Sequence, residues 1–409
     1  MPKSGSPRLC ILTQFYPPEM GAPQARLSES ATRLIEAGWT VEVLTALPNY
    51  PAGKIFDGYN ALRPVVERIN GARVVRVPMY PSKEGVAKRL ASYLSFAASA
   101  ASLGPLQLSR PDLLWVESPP IFIGPAAWAL STRWRCPYVL NVSDLWPESI
   151  IRVGMMKSDA PTTRALQLLE HTMYKRAAGI TGQSTEIIKH VAAIAPNVPT
   201  EEITNGVDPT RFGKRHADAH AKSMLGEKPG PIFMYAGLFG WAQGLDQILD
   251  LAKAWPADAP GRFVLVGDGP ERERLGKRVD DEKLDRVTLL PAQPRERIPA
   301  LLAAADIAIV SLGMTIPGAV PSKIYEAMAS SLPILLIADG EPARRIEGCG
   351  TAVNPGDGTA LLAAGLTMAR DESARRLMGA SGRALAEGRY HRDRIASRLD
   401  SFLRARIAP

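Results

Sequence analysis

Short apolar runs in this chain alternate with stretches of helical period, and the alternation is interrupted once, near residues 210–230, before it starts again. That grammar restricts the fold more than any single residue does. "LCILTQF" (9–15), "TVEVLTAL" (40–47), "RVVRVPM" (73–79), "DLLWVES" (112–118) and "YVLNVSD" (138–144) have strand length, and between them lie helical patterns such as "QARLSESATRLIEAG" (24–38), residues 86–103 and residues 163–178. Strand, helix and strand in series make a parallel sheet, because a parallel neighbour is reached only through a crossover. After "TRFGKRHADAHAKSMLGEKPG", which is polar and ends in Gly and Pro, the series resumes with "PIFMYAGLF" and continues through "RFVLVGDG", "VTLLPA", "ADIAIVSL" and "PILLIA". These later runs are continuously apolar, as strands covered on both faces are. The pattern predicts two doubly wound, Rossmann-like α/β domains facing across a cleft, residues 1–209 and 210–389, with a last helix in 390–409 packing back on the first.

Composition narrows the function classes. At 409 residues and 46% hydrophobic the chain exceeds one ordinary core. Its net charge of +8 is interspersed rather than gathered into a basic arm, which argues against nucleic acid and for an anionic ligand or a membrane surface. Cys10, Cys136 and Cys349 are far apart and form no CxxC, so neither a disulfide framework nor a zinc site is expected, and a reducing cytoplasm fits. The apolar run near the N-terminus is too short for a signal segment, and no stretch reaches spanning length. A cytoplasmic protein is expected.

Ligands of doubly wound sheets bind outside the carboxyl ends of the strands, which selects the candidate residues. In "PSKIYEAMASSLPIL" (321–335) a helix opens on Ser322 and Lys323, where free N–H groups and a lysine suit a phosphate, and Glu326 one turn later can accept hydrogen bonds from paired ribose hydroxyls. An ordinary cap with a solvated lysine is the competing reading. "NVSDLWPES" places Asp144 and Glu148 after a strand, with a helix cap as the alternative for Asp144, and Glu117 ends the strand before. Gly21, between "YPPEM" and a helix, allows close approach of backbone to a ligand, and Arg26 lies one turn on, able to meet a phosphate. The five histidines lie in helical or linker patterns, so a histidine base is not supported.

These stretches together resemble the retaining, GT-B-fold glycosyltransferases of family 4. "PSKIYEAMASSLPIL" is similar to their C-terminal signature, "PPEMGAPQARLSE" to their glycine loop, "NGVD" (205–208) to the end of their first domain, and "YAGLFGWAQGLD" and "VGDGPER" to two strand-loop units of the donor domain. "SDLWPES" (143–149) and "LPNYP" (47–51) resemble a subgroup of bacterial surface-polysaccharide transferases that includes N-acetylfucosaminyl transferases. The resemblance implies a nucleotide-sugar donor, with uridine diphosphate as the expected leaving group, on Gly21, Gly237, Gln243, Gly267, Gly318, Ala319, Val320, Ser322, Lys323 and Glu326. It implies a glycan or polyprenyl-diphosphate-linked acceptor near Arg26 and Glu148, and Asp144, Lys323 and Glu117 around the reacting atoms.

Departures from the family pattern are as informative. Gly318 stands eight positions before Glu326, where the family carries a second glutamate, and Leu238 and Gln243 occupy positions where many relatives have Arg and Lys. Lys323 and backbone amides are then left to hold the diphosphate. No DxD follows a strand, so no metal or other cofactor is expected. A sugar-nucleotide epimerase, a hydrolase and a non-catalytic nucleotide-sugar-binding subunit remain as alternatives. Between residues 61 and 90 stand Arg63, Arg68, Arg73, Arg76, Lys83, Lys88 and Arg89 against Glu67 and Glu84, and the apolar helix with Tyr93 and Phe96 follows. That order suits an interfacial segment as well as a buried helix, and with a lipid-linked acceptor it implies association with the inner face of the cytoplasmic membrane.

Overall fold

The apolar runs become strands whose side chains alternate between two cores. In the first strand Leu9 and Ile11 enter one buried cluster while Cys10 and Leu12 enter another, and in the second half Phe263 and Leu265 face away from Val264 and Val266 in the same manner. A period of two with both faces buried requires helices on both sides of each sheet. The computed structural model describes residues 5–152, 154, 156–226, 230–314 and 316–407. By internal contacts it divides into residues 1–204 with 395–409, and residues 205–394.

The first domain contains β1 (Arg8–Leu12), α1 (Ala22–Glu36), β2 (Thr40–Ala46), β3 (Val65–Ile69), β4 (Ala72–Val77), α2 (Val86–Gln107), β5 (Leu113–Ser118), α3 (Gly124–Trp134), β6 (Tyr138–Val142), α4 (Glu148–Arg152), α5 (Pro161–Arg176), β7 (Gly179–Gly182), α6 (Thr185–Ile194) and β8 (Thr200–Glu202). Among the described residues its sheet has the order β3-β4-β2-β1-β5-β6-β7-β8, parallel except for the β3–β4 hairpin. The second contains α7 (Ala219–Leu225), β9 (Ile232–Ala236), α8 (Asp246–Lys253), β10 (Arg262–Val266), α9 (Arg272–Asp281), β11 (Val287–Leu290), α10 (Ile298–Ala304), β12 (Ile307–Ser311), α11 (Lys323–Ala329), β13 (Ile334–Ile337), α12 (Gly340–Arg345), β14 (Gly350–Val353), α13 (Gly358–Arg370) and α14 (Glu372–Glu387), before α15 (Arg392–Arg404). Its sheet runs β11-β10-β9-β12-β13-β14, and its strand pairs are parallel. The two doubly wound α/β domains read from the sequence are present.

Two stretches differ from the sequence reading. The β3 strand was not anticipated, because "VVERI" alternates exposed and half-buried positions at a sheet edge. The polar stretch that separates the two series is folded over its described residues: Asp218 caps α7 by accepting the Ala221 N–H at 2.6 Å, and Phe212, Ala221 and Leu225 join the second domain's core. Polar residues there face solvent, and sparse apolar anchors fix the segment. The last helix carries Ile395, Leu399, Phe402 and Leu403 into the first domain's core. Its Asp400 accepts the Trp39 indole N–H at 2.6 Å, and Arg398 pairs with Glu201 at 3.0 Å.

Both sheets reverse direction at one place. β1 lies between β2 and β5, and β9 between β10 and β12. At such switch points the outgoing loops diverge and leave a crevice at the carboxyl edge, so the loops after β1 and β5, and after β9 and β12, are where ligands are expected.

Candidate active site

On the second domain the loop after β9 and the loop after β12 are joined directly. Gly313 N–H donates to the Ala242 carbonyl at 2.8 Å, and the Ser311 hydroxyl donates to the Gln243 carbonyl at 2.7 Å. The Gln243 side-chain oxygen is buried without a partner among the described residues. Beside this junction, Gly237 and Gly267 lie almost in contact: a Cβ on Gly267 would fall 1.9 Å from the Gly237 carbonyl oxygen. A Cβ on Gly237 would fall 2.2 Å from Lys323 Cε and 2.4 Å from its Nζ. Glycine at 237 leaves room for the lysine, and glycine at 267 leaves room for the Gly237 carbonyl and the Phe239 ring.

Lys323 is the first residue of α11, and its ammonium sits 5.3 Å from the centre of the buried Tyr235 ring. Among the described residues it has no carboxylate within ion-pair distance; the nearest acidic influence is Glu326, one turn on. Burial therefore pulls the lysine below its ordinary range, and the glutamate's charge offsets this only in part. The same burial pushes the Tyr235 hydroxyl up, and that hydroxyl donates to the Leu238 carbonyl at 2.8 Å, bracing the loop after β9. Ser322 sits just ahead in helical geometry and its side chain makes no cap bond, so the ordinary-cap alternative for this serine does not describe it. Before it, Gly318 takes φ +76°, a left-handed conformation that suits glycine, and Ala319 N–H closes the turn onto the Ile316 carbonyl at 3.1 Å. Val320 then enters the core.

Glu326 does not face open solvent. Its carboxyl lines a narrow cavity of about 50 Å³ together with Arg211, Arg295 and Arg392. Burial raises its pKa above the ordinary carboxylate range, and the charges of Lys323, Arg295, Arg392 and Arg211 pull it back in that order. Sequence reasoning missed these three arginines. They come from the 3-10 turn Pro209–Arg211, the loop after β11 and the start of α15, so no spacing in the chain connects them with Glu326.

On the first domain, Glu117 and Arg26 are brought together as partners. Arg26 donates to Glu117 at 2.5 Å and to the Ser143 hydroxyl at 2.7 Å. Asn141 donates to the other Glu117 oxygen at 2.6 Å, and Ser143 donates to the first. Thr181 in turn donates to Asn141 at 2.6 Å. The carboxylate is buried and receives donors on both oxygens, a geometry that fixes α1 and the ends of β5, β6 and β7 relative to one another.

Asp144 lies in the loop after β6. One oxygen accepts the Ser149 hydroxyl at 3.0 Å, and the other is buried with no partner among the described residues. Burial raises its pKa, and the Ser149 bond with the nearby polar groups of Leu145 and Trp146 offsets this only in part. Because α4 starts only at Glu148, Asp144 is not its N-cap. Glu148 is half-buried, and its charge reaches the Tyr174 and His190 side of the domain.

Gly21 is the N-cap of α1, and a Cβ there would meet the Gln24 side chain at 2.3 Å. A second residue the sequence did not disclose holds this loop. Glu19 is buried and accepts N–H bonds from Tyr16 at 3.1 Å, Asn49 at 2.8 Å and Tyr50 at 2.8 Å, tying "PPEMG" to "LPNYP". Fully buried Arg76 donates to the Pro17 carbonyl and pairs with Glu67. Among the described residues no group of three His, Cys, Asp or Glu side chains is placed to hold a metal ion.

Comparison with known proteins gives this arrangement a family. Residues 21–206 match the glycosyl transferase 4-like domain and residues 218–384 match glycosyl transferases group 1. A protein named as a colanic acid biosynthesis glycosyl transferase, WcaI of Escherichia coli K12, is 27% identical over 368 residues, covering 85% of this chain and 88% of that protein. In fold, sucrose-phosphate synthase from Thermosynechococcus elongatus superimposes with a TM-score of 0.74 at 19% identity, over 98% of each chain. HepE of Anabaena, solved with UDP-glucose, superimposes with a TM-score of 0.67 at 16% identity, over 97% of this chain and 99% of that one. With both domains matched in order and both sheets of the expected topology, the chain belongs to the GT-B glycosyltransferases of the group 1 and glycosyl transferase 4-like families.

Proposed function

We propose that the enzyme transfers a sugar, with retention at the anomeric carbon, from a UDP-linked donor to a glycan or polyprenyl-diphosphate-linked acceptor in bacterial surface polysaccharide synthesis. The observation that carries this reading is Lys323, a half-buried cation lying over Tyr235 in the space left by Gly237, with no acidic partner within ion-pair distance among the described residues. A desolvated ammonium at a switch point is suited to a diphosphate, whose oxygens gain charge as the anomeric bond breaks. Glu326 reads the ribose hydroxyls, its carboxylate set by the three surrounding arginines. The departing phosphate accepts the proton of the attacking hydroxyl, so no protein nucleophile is required. Asp144 stands beside the reacting sugar. Its unpartnered oxygen supports this role, since a buried carboxylate oxygen without a donor is costly unless a ligand completes it. The saturated bonding of Glu117 supports a positioning role for it rather than proton transfer. The donor sugar is proposed to be an N-acetylated deoxyhexosamine, from the "DLWPES" resemblance to N-acetylfucosaminyl transferases and from WcaI being named for polysaccharide biosynthesis. HepE was solved with UDP-glucose, which supports uridine as the base.

The membrane surface is proposed as a further partner, through region 61–90 and α2 on the cytoplasmic side. Phe96 is buried and Tyr93 stacks on Phe122, so neither faces a lipid. The outward face of α2 is instead Val86, Leu90 and Leu94, spaced four apart and exposed beside Lys88. No helix among the described residues is long and apolar enough to cross a membrane.

The test is a thermal-shift screen of nucleoside diphosphates and nucleotide sugars, followed by turnover with and without acceptor. UDP at about 100 times its Kd should add about 2.7 kcal/mol to the wild type. Stabilisation by no nucleotide, or turnover of donor to an epimer without acceptor, overturns the reading.

A further inference from the structure

The loop after β9 carries a residue that the donor chemistry above does not use. Trp241 opens the 3-10 turn Trp241–Gln243 and is 70% exposed, the most exposed aromatic side chain among the described large hydrophobics. It borders a cavity of about 370 Å³, within the range of small-ligand pockets. The floor of that cavity is backbone. Gly244, at φ +57°, approaches so closely that an added Cβ would lie 2.5 Å from Gly313 Cα. Gln247 makes the walls rigid, since its amide donates to the Gly244 carbonyl at 3.2 Å and accepts the Gly356 N–H at 2.8 Å. In the same lining, Arg274 grips Asp246 through two bonds of 2.9 and 2.6 Å and Glu271 through one of 2.8 Å.

The chemistry of this lining selects a ligand class. Arg274 is already shared between two carboxylates, so no lining cation is left over for a phosphate. A flat exposed indole beside half-exposed carboxylate and guanidinium groups suits a neutral molecule with one C–H face and a rim of hydroxyls. A pyranose ring has that form. From this geometry we infer that the Trp241 cavity is a saccharide subsite on the second domain. It takes one sugar unit of the acceptor glycan, stacked on Trp241 with its hydroxyls toward Asp246, Glu271 and Arg274. The inference rests on the transferase reading for the identity of the glycan; the cavity lining includes neither Lys323 nor Glu326, although Gln243 shares the turn with Trp241.

Ligand-observed NMR tests it with di- to tetrasaccharides of N-acetylhexosamines and 6-deoxyhexoses as probes, in the presence and absence of saturating UDP. At least one probe should bind wild type, and the W241A variant should bind it about tenfold more weakly, with its melting temperature unchanged because the indole is exposed. W241F should retain most of the affinity, and UDP should leave saccharide binding in place. Equal binding by W241A, displacement of the saccharide by UDP, or no Trp241-dependent signal from any probe would overturn the subsite. If UDP fails to bind while a probe still binds through Trp241, the donor reading fails and the subsite stands.

Discussion

Removing the ammonium of Lys323 is expected to separate activity from stability. In the folded protein this group is desolvated and has no carboxylate within ion-pair distance among the described residues, which is a cost to the fold rather than a contribution. When a diphosphate is bound, the same group makes a charge-assisted contact of about 1.5–3 kcal/mol, and the contact strengthens as charge develops on the leaving group. K323A should therefore lower kcat/KM by about 10²- to 10³-fold, or about 2.7–4 kcal/mol of transition-state stabilisation. Most of the loss should appear in kcat. K323M, which refills the space over Tyr235 without charge, should lose comparable activity yet melt at the same temperature as wild type or higher. The sign of the pH dependence is fixed by the direction of the shift. Lys323 has a folded pKa below its unfolded value, so between the two the unfolded chain binds more protons and wild-type stability rises with pH. The stability advantage of K323M should accordingly be full below the folded pKa of Lys323 and shrink as pH climbs from there toward about 10.4. Steady-state kinetics with the donor identified by thermal shift, and urea unfolding of the three proteins, supply both readouts. Activity within twofold of wild type, or a K323M protein several kcal/mol less stable, would refute the reasoning.

Three further perturbations follow from the same geometry. E326Q keeps shape but converts charge-assisted bonds to neutral ones, so UDP affinity should fall by about 1–3 kcal/mol, with a smaller loss for a 2′-deoxyribose donor; equal losses for both in calorimetry would remove Glu326 from the ribose. G237A and G267A should both lower the unfolding free energy, a Cβ at 237 because Gly237 takes φ +156° and a Cβ at 267 because it meets backbone 1.9 Å away, but only at 237 does the Cβ also meet the end of Lys323, so G237A should lose kcat/KM out of proportion to its loss of stability, and proportionate losses in both would remove the gap at Gly237 from the lysine's placement. Flotation with phosphatidylglycerol vesicles should recover wild type but not an L90E/L94E pair with wild-type melting temperature; equal recovery of both, or equal recovery with neutral and anionic lipid, would dismiss the α2 surface.

How far the sequence reached can be seen residue by residue. The strand-helix series alone determined two parallel-sheet domains, because continuously apolar runs such as "RFVLV" and "ILLI" can be satisfied only when both faces are covered. Which loops matter was decided by the fold, since the loops after β1, β5, β9 and β12 are singled out by the strand order of the two sheets. Gly237 and Gly267 were legible as glycines directly after strands, and Lys323 and Glu326 as residues of the first turn of a helix. Their partners were not. That Lys323 lies across Tyr235 through the gap at Gly237, that Glu326 sits among Arg211, Arg295 and Arg392, and that Arg26, Glu117, Ser143, Asn141 and Thr181 close one network depends on elements far apart in the chain. Local periodicity encodes which face of an element is buried, because burial repeats with the backbone. Polar contacts between loops obey no such period, so pairs like Glu19 with Asn49 and Tyr50 exist only once the sheet has brought its strand ends side by side.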